Sequence, residues 1–197
     1  FLREALVPLA PESAREPSPA QDILTPGGVV VCVTPIDASA PKGRLIVPQV
    51  QTLRELVENR HPALVVQHTE LEQALALLRA WPDLVITDSQ VVREVAAILP
   101  ETVRLTTFSV LFARFKGDFG LLLAGARVID SLPDGAAVLV AEACAHHAQD
   151  DDIARVKLPR MLKKHTGREF EYTYTSGLDL PDNLHRYSLV IMCGGCM

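Results

Sequence analysis

The sequence predicts an α/β protein of two small domains, each built on a mostly parallel β-sheet with crossover helices. Continuous apolar, β-branched runs such as VVVCV indicate strands that are buried on both faces. Strand-like and helix-like segments alternate with a repeat of roughly 20 residues, which is typical of parallel sheets. In the second half of the chain, two predicted strands each run directly into a cysteine.

Residues 1–17 are predicted to form a short amphipathic helix and a linker. The segment FLREAL has helical character, and the following stretch is rich in proline, glycine and serine, which interrupt regular structure before the first strand. The helix starts abruptly, and the sequence stops one residue after Cys196. We therefore expect this chain to be a piece, or the ordered part, of a longer protein.

The first domain is predicted over residues 18–116, where apolar runs and helically spaced apolar residues alternate. Thr69, with Glu72 three residues on, is expected to cap the second helix. Asp88 or Ser89 is expected to cap the third. The predicted strands are 29–37, 63–67, 84–88 and 103–108, and the predicted helices are 49–60, 69–81 and 89–99.

The second domain is predicted over residues 117–197 and repeats the same alternation. Gly167 is expected to end its longer helix as a C-cap. The predicted elements are helices 118–132 and 151–167, a short helix or turn at 181–187, and strands 136–143, 170–177 and 188–192.

Composition and charge exclude several classes of function. The net charge is −5 and no run of Lys or Arg occurs, so a nucleic-acid surface is not expected. The longest apolar runs fall far short of the ~20 residues that a membrane span needs. The N-terminus carries acidic residues and prolines where a signal peptide has an apolar core. Four cysteines are few for a disulfide-stabilised secreted domain, which favours a reducing, cytoplasmic location.

Three of these cysteines are predicted to form one metal site. Cys144 follows one strand, and Cys193 and Cys196 follow another. If the two strands are parallel neighbours, their carboxyl ends lie at the same edge of the sheet, where open α/β sheets bind ligands. Thiolates at this spacing suit soft metals, either zinc or an iron–sulfur cluster.

Other residues extend this site, and several interpretations stay open. His146 stands two residues after Cys144, and any of Asp150, Asp151 or Asp152 is a candidate for an exchangeable fourth ligand. On the residues alone, an iron–sulfur cluster, a structural Cys3His zinc site in an interaction module, and thiol redox chemistry or plain packing all remain. Cys32, inside VVVCV, is expected to be an inert buried residue.

Long blocks of the chain resemble the hydrogenase maturation GTPase family called HydF. The blocks TPIDASAPKGRLIVPQVQTLRE, LVITDSQ, FSVLFARFKGD, EACAHH, DDIARVKLPRMLKKHTG and VIMCGGCM carry the resemblance, which extends from about residue 20 to 197. The family motif is Cys-x-His, a long spacer and His-Cys-x-x-Cys. Cys144, His146, Cys193 and Cys196 match it, whereas Met192 occupies the position of the second histidine.

The resemblance implies a scaffold or carrier in assembling the diiron active-site precursor of [FeFe]-hydrogenase. It implies a GTPase domain, a dimerisation domain (here 18–116) and a [4Fe-4S] cluster-binding domain (here 117–197, expected to be incomplete at its C-terminus). No G-x-x-x-x-G-K-[ST] loop occurs in this chain, so GTP would bind only in the missing domain. The implied partners are radical-SAM maturases, apo-[FeFe]-hydrogenase and a second copy. That copy is expected to pair through an edge strand.

Overall fold

The computed structural model describes residues 18–36, 45–142, 153–177 and 179–193. The chain divides into two compact units, residues 1–117 (the first unit) and residues 118–197 (the second unit). Each unit contains a parallel sheet with helices, so the predicted fold class is confirmed. The predicted helix and linker at 1–17 lie outside the described residues.

The first unit is a four-stranded parallel sheet with the strand order β2-β1-β3-β4. The central strands β1 and β3 are buried at every residue, as their continuous apolar sequences predicted. The elements, in chain order, are β1 Val30–Val33, α1 Val47–Glu58, β2 Ala63–Val66, α2 Leu71–Ala76, β3 Leu84–Thr87, α3 Val92–Ile98, β4 Leu105–Thr107 and α4 Phe108–Lys116.

Two apolar layers cover the two faces of this sheet. One layer joins alternate residues of β1 and β3 to Leu56 of α1 and to Phe108, Leu111 and Phe112 of α4. The other joins the remaining strand residues to Leu71 and Val95, from α2 and α3. The alternation of side chains along each strand thus places helices on both faces, as expected for parallel crossovers.

The helices differ from the prediction in several places. Helix α3 begins at Val92, its N-cap is Val91 and no side chain caps it, so the predicted cap at Asp88 or Ser89 is wrong. The predicted helix 69–81 is a 3₁₀ turn, His68–Glu70, followed by the short α2, and the predicted Thr69 cap is wrong. Instead, the Glu70 carboxylate accepts the Gln67 backbone N–H at 3.2 Å. Helix α4 was not predicted, because the apolar segment that begins it was assigned to the strand over 103–108.

The second unit is a three-stranded parallel sheet with the strand order β6-β5-β7. Residues of the π-helical turn and of α6 pack on one face, where Ala154 and Leu162 contact Val138 and Val140 of β5. Gly167 ends α6 at φ 71°, which confirms the predicted C-cap. The elements are α5 Phe119–Val128, β5 Ala137–Glu142, a π-helical turn Ile153–Lys157, α6 Leu158–Thr166, β6 Glu171–Ser176 and β7 Leu189–Cys193.

Candidate metal centre

The carboxyl ends of the three strands of the second unit meet at one edge of the sheet. Strand β5 pairs in parallel with both β6 and β7. At the last register position, Glu142 stands between Ser176 on one side and Cys193 on the other. The strands that precede the cysteines are therefore parallel neighbours, which was the condition on which the predicted metal site depended.

Most of the predicted ligands follow this edge in sequence but lie outside the described residues. These are Cys144, His146, Asp150, Asp151, Asp152 and Cys196. The backbone of Cys193 ends β7, and within the described ranges no group of three or more His, Cys, Asp and Glu side chains comes together.

The cysteines follow the paired strands closely in sequence. Cys144 is two residues past the end of β5. Cys193 is the last residue of β7, which pairs in parallel with β5. Only two residues separate Cys193 from Cys196 in the sequence. Three thiolates are a donor set that suits an iron–sulfur cluster or a zinc ion.

A partly buried ion pair lies at the same edge, and the sequence analysis missed it. Arg155 donates from Nε and Nη2 to the two carboxylate oxygens of Glu142, at 3.1 and 2.9 Å. Ser176 Oγ donates to the same carboxylate at 3.2 Å, and the guanidinium lies 5.1 Å from the centre of the Tyr174 ring. This bidentate contact, with the Ser176 bond, joins the π-helical turn to β5 and β6. Of these two strands, β5 ends beside Cys193, and β6 lies on the other side of β5.

Aromatic side chains continue from this pair along β6. Tyr172 and Tyr174 stack at 6.3 Å between ring centres, and Phe170 meets Tyr172 edge-on at 6.4 Å. Burial, with smaller contributions from Tyr174 and Glu169, raises the pKa of Tyr172. The phenol therefore stays neutral at physiological pH, and this face of β6 is apolar up to the Arg155 contact.

Cys32 is separate from this edge, because it belongs to the core of the first unit. Its side chain is fully buried in the apolar layer beside α1 and α4, and burial raises the pKa of its thiol to about 12. A neutral, inaccessible thiol is neither a nucleophile nor a metal ligand, so the expectation that Cys32 is inert and buried is confirmed.

Family models match nearly the whole chain. Residues 20–117 match the model described as the Hydrogen maturase F dimerization domain, and residues 120–197 match the one described as the Hydrogen maturase F tetramerization domain. No curated protein matched the sequence. These matches confirm the family resemblance and the expectation of self-association. The second description names self-association, and cluster binding over 117–197 stays a prediction.

In the part of the chain that the structure describes, no helix combines the length and the apolar character that crossing a membrane requires.

Proposed function

Since this chain belongs to the hydrogen maturase F (HydF) family and has a role in hydrogenase maturation, we propose that it is a scaffold that holds a [4Fe-4S] cluster. The cluster is bound by Cys144, Cys193 and Cys196 and keeps one exchangeable coordination position. The observation that best supports this proposal is the register that pairs Glu142 with Cys193, because the strand before Cys144 and the strand that ends at Cys193 are parallel neighbours.

The residues around the edge hold and orient the ligands. The Glu142–Arg155 contact fixes the end of β5 two residues before Cys144, and the pairing of β7 with β5 fixes Cys193 beside it. Three thiolates leave one iron with a non-cysteine ligand, for which His146 and Asp150–Asp152 are candidates. A cluster with such an iron supplies an attachment point for a diiron precursor.

In this function the precursor is cargo rather than a substrate that the chain transforms. The proposed donors are radical-SAM maturases, and the proposed acceptor is apo-[FeFe]-hydrogenase. The chain self-associates, so each assembly presents more than one cluster domain. GTP binding is not proposed for residues 1–197, because no phosphate-binding loop sequence occurs there.

Anaerobic reconstitution with iron and sulfide tests the cluster assignment. The wild-type chain should bind about four irons and four sulfides and give a reduced-state EPR signal, as a [4Fe-4S] cluster requires. Cys193→Ala should lose this iron, whereas the control Cys32→Ala should keep it, because Cys32 lies in the core of the first unit. A Cys193→Ala chain with a full cluster, or a wild-type chain that holds stoichiometric zinc and takes up no iron, would show that the proposal is wrong.

Separate substitutions test the fourth ligand. His146→Ala, and a triple change of Asp150, Asp151 and Asp152 to Ala, should each leave the iron content unchanged. The variant that removes the ligand should change the EPR line shape. Unchanged spectra in both variants would exclude these side chains and assign the position to solvent or an external molecule.

A further inference from the structure

Helix α5, Phe119–Val128, is apolar on every side and yet has no buried residue. Its sequence, FGLLLAGARV, contains one charged side chain, Arg127. A helix with this composition is expected to be buried in a protein interior. In the structure, however, Leu121 is 71% exposed and Leu122 and Leu123 are 40% and 44% exposed.

The helix is nevertheless well defined at both ends. The Asp118 carboxylate accepts the backbone N–H of Leu121 at 3.0 Å, which is a standard N-cap. At the other end, α5 continues into a 3₁₀ turn whose first residue, Ile129, packs against the core of the second unit. A ten-residue helix is only marginally stable in water without packing, so its apolar surface needs a partner.

The apolar area exposed by α5 is large for a single helix. Phe119, the three leucines and Val128 together expose on the order of 400 Å² of apolar surface, comparable with the largest patch of a typical monomer. Since successive helix residues are about 100° apart, Leu121, Leu122 and Val128 share one face, which would supply the apolar centre of a contact between two copies. Neighbouring residues of the second unit would complete the ~1,200 Å² found in the smaller specific interfaces. The space in front of Gly125 is open, since a Cβ atom built there meets nothing within 4 Å.

We propose that α5 is the surface through which two copies of the second unit pair, with α5 of one copy packed against α5 of the other. The family description supports a second copy as the occupant, because the tetramerization match starts at residue 120 and includes nearly all of this helix. The first unit matches a dimerization description. Two different isologous contacts, one in each unit, build a closed tetramer from two dimers.

Matched charge substitutions at two exposed apolar positions test this interface by sedimentation. Wild-type chains of 21.5 kDa should sediment as tetramers. Leu121→Glu should give dimers, because two carboxylates would meet at the contact. Met161→Glu, at a residue of α6 that is 66% exposed, should remain tetrameric. A tetrameric or monomeric Leu121→Glu chain, a wild type that is not tetrameric, or equal dissociation of the Met161→Glu control would overturn the proposal.

Crosslinking identifies the occupant directly. A photoreactive phenylalanine analogue at position 121, in mixed tagged and untagged chains, should give adducts between copies that map to residues 118–197. Adducts within one chain, or only with residues 18–117 of another copy, would overturn the assignment. Leu121→Glu should also keep its full iron content, so a failure of this proposal is distinguishable from a failure of the cluster proposal.

Discussion

Removing Arg155 should destabilise the second unit more than neutralising its partner, Glu142. The Glu142 side chain is 10% exposed and the Arg155 side chain 45% exposed, so the two groups depend on each other unequally. Arg155→Met deprives a nearly buried carboxylate of two charge-assisted hydrogen bonds. Glu142→Gln keeps an acceptor of the same shape and leaves a guanidinium that is already half hydrated.

The magnitudes follow from the degree of burial. Breaking a fully buried pair by removing one partner costs about 3–5 kcal/mol, whereas exposed pairs contribute about 0–1 kcal/mol. Since one member of this pair is half-exposed, we expect a loss of about 2–3 kcal/mol for Arg155→Met. For Glu142→Gln we expect about 1 kcal/mol.

Urea unfolding of the metal-free, reduced chain can measure this difference in each unit separately. The three tyrosines, Tyr172, Tyr174 and Tyr187, all lie in the second unit, and the single tryptophan, Trp81, lies in the first. With a slope of about 1 kcal/mol per M, Arg155→Met should lower the tyrosine midpoint by about 2 M or more. The Trp81 transition should not move. Equal losses in the two variants, or a larger loss in Glu142→Gln, would refute the burial argument.

Three further predictions concern the core, the sheet edge and a helix end. Burial raises the pKa of the Cys32 thiol from 9.0 to about 12, so the folded state favours the protonated thiol. This contribution to the free energy of unfolding is complete below pH 9 and is lost as pH rises towards 12, at about 1.4 kcal/mol per pH unit. Cys32→Ala should therefore lose less stability than wild type between pH 9 and 11, and parallel unfolding curves would contradict this. Strand β2 is an edge strand with Val65 42% exposed, and we predict that it pairs with β2 of a second copy. Val65→Pro should then abolish dimers in sedimentation experiments on a Leu121→Glu background, and persisting dimers would exclude this edge. Gly167→Ala should cost about 1 kcal/mol in thermal unfolding because φ is 71°, and an unchanged midpoint would argue against the left-handed cap.

The sheets were predictable because their strands are chemically simple. Strands β1 and β3 are continuous apolar runs, and in the structure they are the two central strands. Helix α4 was missed although Phe108, Leu111 and Phe112 have helical spacing. The Thr107 side chain accepts the Val110 N–H at 3.2 Å and so starts a helix directly at the end of β4. Two elements without a connecting loop are difficult to separate by periodicity.

At the candidate site, the sequence indicated the three cysteines but not their surroundings. The adjacency of β5 and β7 depends on strand order, which local patterns do not determine. The ion pair had a weak signal, a glutamate at the end of the apolar strand AAVLVAEA. Its partner, Arg155, is 13 residues away and reaches it only through the tertiary fold. The sequence therefore identified candidate ligands, and the fold showed that the strands β5 and β7, which precede them, are parallel neighbours.

The most direct test of the cluster scaffold is Mössbauer spectroscopy of the chain reconstituted anaerobically with isotopically enriched iron. The proposed three-cysteine site predicts one [4Fe-4S] cluster per chain, with one iron distinguishable from the three that carry thiolates. The Cys193→Ala chain should show no such spectrum. Iron present only as mononuclear or two-iron species, or four equivalent irons in wild type, would contradict the three-cysteine site with an exchangeable position.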